Sequence, residues 1–274
     1  MAESVTLIGF GEAGSTFARA GNWAGRARAY DIAPERGAAM AECGVVPCAN
    51  AEEALRDAAL ILSLVTADQA LDAARTAASS IAPGALYCDM NSVSPGTKSE
   101  AAALIGAAGG RYVDVAVMAP VNPARLAVPL LLSGPHAEDC RAALAAIGFT
   151  QLRSVGDQVG HASTIKMLRS VMYKGMEALT AECLIACERA GVTDEVLSSF
   201  GAEWAAGADY RLDRMMVHGR RRAAEMREAA RTLEELGLDP LMTWGTVEHQ
   251  ERIGALGIAP VPETLAAKLE ALKS

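Results

Sequence analysis

The stretch Val5-Thr6-Leu7-Ile8-Gly9-Phe10-Gly11-Glu12-Ala13-Gly14 decides how the rest of the chain is read, and it stands almost at the first residue. Val5 to Ile8 make a short apolar run suited to a buried strand, and the spacing Gly-x-Gly-x-x-Gly that follows gives each glycine a separate task. Gly9 allows the tight turn, Gly11 lets the backbone approach a pyrophosphate, and Gly14 permits close packing of helix on strand. A helix starting near Gly11 points free N–H groups and the positive end of its dipole at the phosphates. The whole loop, with Phe10, Glu12 and Ala13 between the glycines, is therefore expected to hold a dinucleotide.

Such a motif alone also fits an ordinary strand-to-helix turn, so its surroundings matter. A second strand, Arg26-Ala27-Arg28-Ala29-Tyr30, ends in Asp31. That carboxylate is spaced to accept hydrogen bonds from both ribose hydroxyls of NAD, and it would repel a 2′-phosphate. Arg28 and Arg36 lie close enough in sequence to soften the preference, because an arginine here can accommodate the phosphate. NAD is expected, with NADP the less favoured cofactor.

At 274 residues the chain can bury a large core in one or two domains. No basic and apolar leader precedes the first strand, and no apolar stretch approaches a membrane span, so a soluble cytoplasmic protein is expected. Six cysteines, Cys43, Cys48, Cys88, Cys140, Cys183 and Cys187, are scattered without a Cys-x-x-Cys pair. They signal neither a metal site nor a disulfide framework. A formal charge of −8 argues against a nucleic-acid surface. The one basic cluster, Arg220-Arg221-Arg222, reads by default as a solvated helix face and more sharply as a contact for a small anion.

Short β-like runs alternate with Ala-rich helical stretches through the first half, the pattern of a doubly wound parallel α/β sheet. Strands are expected at 5–8, 26–30, 60–64, 86–89 and 112–117, with a later pair at 127–132 and 150–154 around a helix over 137–147. Beyond Gly156 the pattern turns helical. From about Gly160 to Ala190 there is no proline and one internal glycine, Gly175, which predicts a single long helix as the spine of an all-α domain. Further helices are expected over 194–206, 211–236, 240–256 and 262–272. The boundaries are a Rossmann-type dinucleotide-binding domain over 1–156 and an all-helical substrate and dimerisation domain over 157–274.

At the start of the spine Lys166, Arg169, Ser170, Tyr173 and Lys174 fall on one face, opposite Ile165, Leu168, Met172, Met176 and Leu179. A plain amphipathic helix explains that stripe. Its position directly after the nucleotide domain is what raises a functional reading, since it is then expected to face the interdomain cleft.

The glycine motif, the segment Asp89-Met90-Asn91-Ser92-Val93-Ser94-Pro95 and the stretch Gly156-Asp157-Gln158-Val159-Gly160-His161-Ala162-Ser163-Thr164-Ile165-Lys166 together resemble the β-hydroxyacid dehydrogenase family, which includes 3-hydroxyisobutyrate and 6-phosphogluconate dehydrogenases. The segment from Lys166 to Leu179, with Arg220-Arg221-Arg222-Ala-Ala-Glu-Met, resembles a poorly characterised branch whose C-terminal domain has no settled function. The resemblance implies that Lys166 is the general acid/base, that Ser92 sits beside the nicotinamide and the substrate, and that the loop Val65-Thr66-Ala67 borders the cofactor. The chemistry agrees: hydride transfer from an alcohol requires removal of the hydroxyl proton, and a partly desolvated ammonium has its pKa lowered toward working pH.

Two departures from the family pattern stand out. Where the family places asparagine four residues after the lysine, this chain has Ser170, which has shorter reach. Where the family has a glycine-rich loop for the substrate carboxylate, it reads Asp114 to Pro123, and Pro120 and Pro123 carry no N–H. A different substrate anchor is expected among Asn122, Arg169, Lys174 and the His218–Arg222 segment, in a pocket made more apolar by Met118 and Val121. His161 and His218 read as capping or packing residues rather than bases. The expectation is an NAD-dependent homodimeric dehydrogenase or reductase in which Lys166 and Ser170 are catalytic. An imine reductase on the same scaffold and a non-catalytic NAD(H)-responsive binding protein are the alternatives.

Overall fold

A computed structural model describes residues 4–273 of the chain. Among them eight strands form one sheet: β1 (Val5–Ile8), β2 (Ala27–Tyr30), β3 (Val46–Pro47), β4 (Leu60–Ser63), β5 (Leu86–Asp89), β6 (Arg111–Val117), β7 (Leu130–Ser133) and β8 (Leu152–Gly156). The order is β3-β2-β1-β4-β5-β6-β7-β8, parallel at every pairing except β6 with β7. Crossing helices are α1 (Glu12–Ala20), α2 (Arg36–Glu42), α3 (Ala51–Leu55), α4 (Ala70–Ala78), α5 (Pro95–Ala107) and α6 (Ala137–Ala146).

The strand sequences explain this arrangement. In β1, β4, β5 and β7 every residue is buried, as in a sheet covered on both faces. Successive side chains alternate between the faces. Leu7, Leu62 and Cys88 join a cluster with Phe17, Trp23 and Phe149, whereas Ile8, Ile61 and Tyr87 join another with Leu55, Ile105 and Tyr112. The topology reverses on either side of β1 and β4, so the carboxyl ends of those strands open the crevice where an open α/β sheet binds its ligand.

The later strand pair begins two to three residues beyond the expected 127–132 and 150–154 and ends one to two beyond. A 3₁₀ turn over Arg125–Ala127, entered through Arg125 at φ +53°, delays β7. β3 has two exposed residues and a proline, tolerable only at an edge, and left no periodic signal.

The chain divides into two compact units between Lys166 and Met167. The second is helical: it comprises the greater part of α7 (His161–Ala190), then α8 (Thr193–Ser199), α9 (Ala202–Glu235), α10 (Leu241–Ala255) and α11 (Leu265–Ala271). Ala181, Leu184, Leu212, Met215, Ile253 and Leu269 make its main core. The break expected between 206 and 211 is absent. Gly207 is carried inside the 34-residue α9, and the chain turns instead at Gly201, whose φ of +82° a non-glycine residue rarely adopts.

The expected faces of α7 are also corrected. Met167, Lys174, Glu177, Ala178, Thr180, Ala181, Leu184 and Cys187 are its buried residues beyond Lys166, while Leu168, Met172, Met176 and Leu179 are exposed. The cause is ion pairing that the apolar periodicity does not register. Lys174 Nζ lies 2.6 Å from Glu225, and Glu177 accepts hydrogen bonds from Arg222 Nε at 2.9 Å and from Gln250 at 3.0 Å. Arg222 is therefore part of a buried pair and not of a solvated face, although Arg221 stays exposed.

Candidate active site

The glycine loop can be tested position by position for what each missing side chain would meet. At Gly9, φ is +92° and a Cβ would stand 2.5 Å from the Leu64 carbonyl oxygen. At Gly14 it would stand 3.0 Å from the Gly9 carbonyl oxygen. At Gly11 it would meet nothing within 4 Å, so the fold itself makes no demand for glycine there. The open space lies at the start of α1, where Gly11 provides no side-chain cap for the first-turn N–H groups. A backbone left bare beside uncapped donors fits a pyrophosphate drawn close to a helix N-terminus.

Asp31 closes this loop against β2. Its carboxylate accepts from the Phe10 N–H at 2.6 Å and from the Ala33 N–H at 2.9 Å, which leaves further lone pairs for ribose hydroxyls. Arg28 is turned away from this role: its guanidinium donates to the Arg56 carbonyl and, at 3.3 Å, to Thr6 Oγ1. Ile32, next to Asp31, is an exposed apolar surface. Val65 N–H donates to Asn91 Oδ1 at 2.7 Å, and the neighbouring Thr66 hydroxyl holds the Asp68 carboxyl below the usual carboxylate range.

Ser92 and Lys166, 74 residues apart, are brought together. Lys166 Nζ donates to Ser92 Oγ at 2.5 Å. Beneath them lies a buried polar network. Lys98 Nζ reaches the Asp89 carbonyl at 2.7 Å, the Asp89 carboxylate at 2.9 Å and the Asp114 carboxylate at 3.4 Å. Tyr112 donates to Asp89 at 2.7 Å; burial first, and then the two aspartates, push its phenol pKa well up and keep it a donor. Asp114 accepts from Ser163 Oγ at 2.6 Å, Ser163 N–H at 2.9 Å and Ser133 Oγ at 3.1 Å, and Ser133 Oγ accepts from Ala162 N–H at 2.9 Å. The first turn of α7 is thus capped by side chains of the sheet, as exposed helix donors require.

Other expected site residues sit elsewhere. Met118 packs with Ala116, Leu131, Ala162 and Ile165, and its N–H donates to the Pro129 carbonyl at 2.9 Å. Asn122 is exposed and directs its amide to Thr16 Oγ1 at 3.4 Å, where Arg19 and Arg125 line the same shallow pocket. In the second unit the Arg169 guanidinium stacks over Tyr173 at 4.4 Å, and His218 is half-buried on α9. Lys174 donates to Ser170 Oγ at 3.5 Å, but its main partner is Glu225. Burial lowers the Lys174 pKa, with Glu225 opposing the shift.

Sequence reading passed over Asp89, Lys98, Asp114 and Ser163 as participants. The only trace of them was a charged residue at the end of β5 and another in the middle of the otherwise apolar β6, and a period-two pattern gives neither a partner. Among the described residues no group of three or more His, Cys, Asp or Glu is placed to hold a metal, and no helix is long and apolar enough to cross a membrane.

Residues 4–156 match the model described as the NAD binding domain of 6-phosphogluconate dehydrogenase, and residues 187–253 match a domain of unknown function. A conserved hypothetical protein from Sinorhizobium meliloti 1021 is 37% identical, with 100% of this chain and 96% of that one covered at a TM-score of 0.76. The 3-hydroxyisobutyrate dehydrogenase of Mycobacterium tuberculosis has the same fold, at 17% identity and TM-score 0.76 with both chains fully covered. The 3-sulfolactaldehyde reductase of Escherichia coli strain K12 is 26% identical over 212 residues, 74% of this chain and 70% of the reductase.

Proposed function

The chain belongs to the family of the NAD-binding domain of 6-phosphogluconate dehydrogenase and is an NAD(P)-dependent dehydrogenase or reductase acting at a CH–OH group; from that premise we propose that it exchanges hydride between NAD(H) and a hydroxy acid or related alcohol–carbonyl pair. The bond from Lys166 to Ser92 carries this reading, because it sets an amine that can give or take a proton beside a hydroxyl three residues beyond β5. Gly9, Phe10, Gly11, Glu12, Ala13, Gly14, Asp31, Val65 and Thr66 would hold the dinucleotide, which supplies or accepts the hydride when bound. Lys166 takes the alcohol proton during oxidation and returns it during reduction, Ser92 orients the reacting oxygen, and Ser170, one helical turn on, adds a second short hydrogen bond.

NAD is the cofactor this reading favours. Arg28 is bonded to Thr6 and Arg56 rather than to Asp31, and the exposed Ile32 beside that carboxylate offers an adenine an apolar surface. For the substrate acid group we assign the anchor to Arg169, whose planar fork can bond both oxygens of a carboxylate, with His218 and Asn122 as lesser candidates, while Lys174 and Arg222 pair with Glu225 and Glu177. Residues 157–274 serve substrate binding and homodimerisation, the latter through the exposed apolar face of α7. Six cysteines free of disulfides suit a cytoplasmic setting.

A second reading, imine reduction on the same scaffold, draws on the apolar packing of Met118 and on the two prolines that remove donors from the carboxylate loop. A cofactor-linked absorbance screen over hydroxy acids, ketones and imines, with NADH and NADPH in parallel, separates the two and also a protein that binds NAD(H) without turnover. Lys166→Met is expected to lower kcat by about 10²–10⁴-fold on whichever compound is active, the usual worth of a general acid/base, while NADH still binds. Wild-type turnover in that variant would remove Lys166 from the mechanism.

A further inference from the structure

Asp89 and Asp114 are register partners in adjacent parallel strands, and their carboxylates share one fully buried ammonium, that of Lys98. Each carboxylate governs a different piece of the candidate site. Asp89 accepts from the Asn91 N–H at 3.0 Å, and the Asn91 side chain then joins Ser63 Oγ at 3.0 Å to Val65 N–H, which fixes the turn carrying Ser92. Asp114 holds Ser163 through both its hydroxyl and its N–H, which fixes the turn of α7 that ends in Lys166. Lys98 touches both. Packing at the same place is close: Gly160 lies against Pro95, and a Cβ on it would stand 3.0 Å from the proline Cβ.

We propose that Lys98, Asp89 and Asp114 are positioning residues that set the separation between Ser92 Oγ and Lys166 Nζ, an inference that rests on Lys166 being the proton carrier. Two carboxylates and one ammonium leave a single negative charge, and the N-terminus of α7 offsets it. Stability alone is a poor reason to keep such a cluster, since a buried ion group seldom outperforms well-packed apolar side chains of the same volume. Register is a better reason. The bonds are directional and each has one length, so the two turns are held in one relation that apolar contact would leave free to slide.

The test uses two variants of the full chain. Lys98→Met/Asp114→Asn keeps the cluster at one negative charge, and Ser163→Ala deletes a single hydroxyl. Four quantities are read: NADH binding, kcat and KM on a compound active in the screen, and reductive methylation of Lys166 against Lys273 in the same molecule, followed by peptide mass mapping. In the double variant NADH binding and KM are expected to hold while kcat falls about ten- to hundredfold, the cost of a reacting group displaced by an ångström or less. Lys166 labelling rises severalfold over Lys273, because an amine released from Ser92 meets the reagent more freely. Ser163→Ala moves both readouts the same way by less, and it decides the matter alone if the double variant does not fold. Wild-type kcat and Lys166 labelling in the folded variants would overturn the clamp. Failure of the wild-type chain to bind NADH would instead overturn the oxidoreductase reading, since labelling is measured without turnover.

Discussion

Gly9 and Gly11 stand two residues apart and answer to different constraints. Gly9 is required by the protein: its backbone is left-handed and a Cβ would strike the Leu64 carbonyl. Gly11 has open space where a side chain would go, so the fold does not require it, and under the proposed function the dinucleotide would. Gly9→Ala is expected to destabilise the fold by about 1–3 kcal/mol, as overpacking against backbone does, lowering the urea midpoint. Gly11→Ala should leave that midpoint unchanged and weaken NADH binding by about tenfold or more, roughly 1.4 kcal/mol, measured by fluorescence titration. Equal stability loss in both variants would mean the loop is structural throughout. Lys174 teaches the same lesson in reverse. As a cation on the expected polar stripe it read as a substrate anchor, whereas its charge is spent on Glu225 inside the helical unit.

At the scale of elements, α9 and α10 meet through backbone rather than side chains. A Cβ on Gly219 would lie 2.4 Å from the Gln250 carbonyl oxygen, and one on Gly254 would lie 2.5 Å from the Arg220 nitrogen, so neither helix can retreat by a rotamer change. Gly219→Ala should therefore cost about 1–3 kcal/mol in urea unfolding. Gly245→Ala, in the same α10 but with nothing within 4 Å, should gain about 0.5–1 kcal/mol from helix propensity. Similar effects at both positions would show that the crossing is loose. The same contrast explains why α9 was read as two helices: Gly207 and Gly201 look alike in a string of letters, and only the backbone at Gly201, with φ at +82°, breaks the helix.

At the scale of the molecule, the outward face of α7 bears Leu168, Met172, Met176 and Leu179, with Met172 64% exposed, a continuous apolar strip of the kind that marks an interface. Light scattering is expected to return twice the chain's mass, and Met172→Glu/Leu179→Glu to return the chain's mass with the helical circular dichroism preserved. A wild-type monomer would overturn the proposed dimer. Order along the chain was legible without coordinates: the glycine spacing, Asp31 one strand later, the alternation of apolar runs with helical stretches and the long helix beyond Gly156 all follow from local sterics and periodicity, which act over a few residues and are written in consecutive letters. What the tertiary structure decided is partnership. Asp89, Lys98, Asp114 and Ser163 are distant in sequence and each is unremarkable alone; folding removes water from all four at once, and only then does a buried charge have to find its opposite. The face of α7 that turns inward was settled in the same way, because burying Lys174 and Glu177 is tolerable only where Glu225, Arg222 and Gln250 arrive from other helices, and no period of 3.6 residues encodes their arrival.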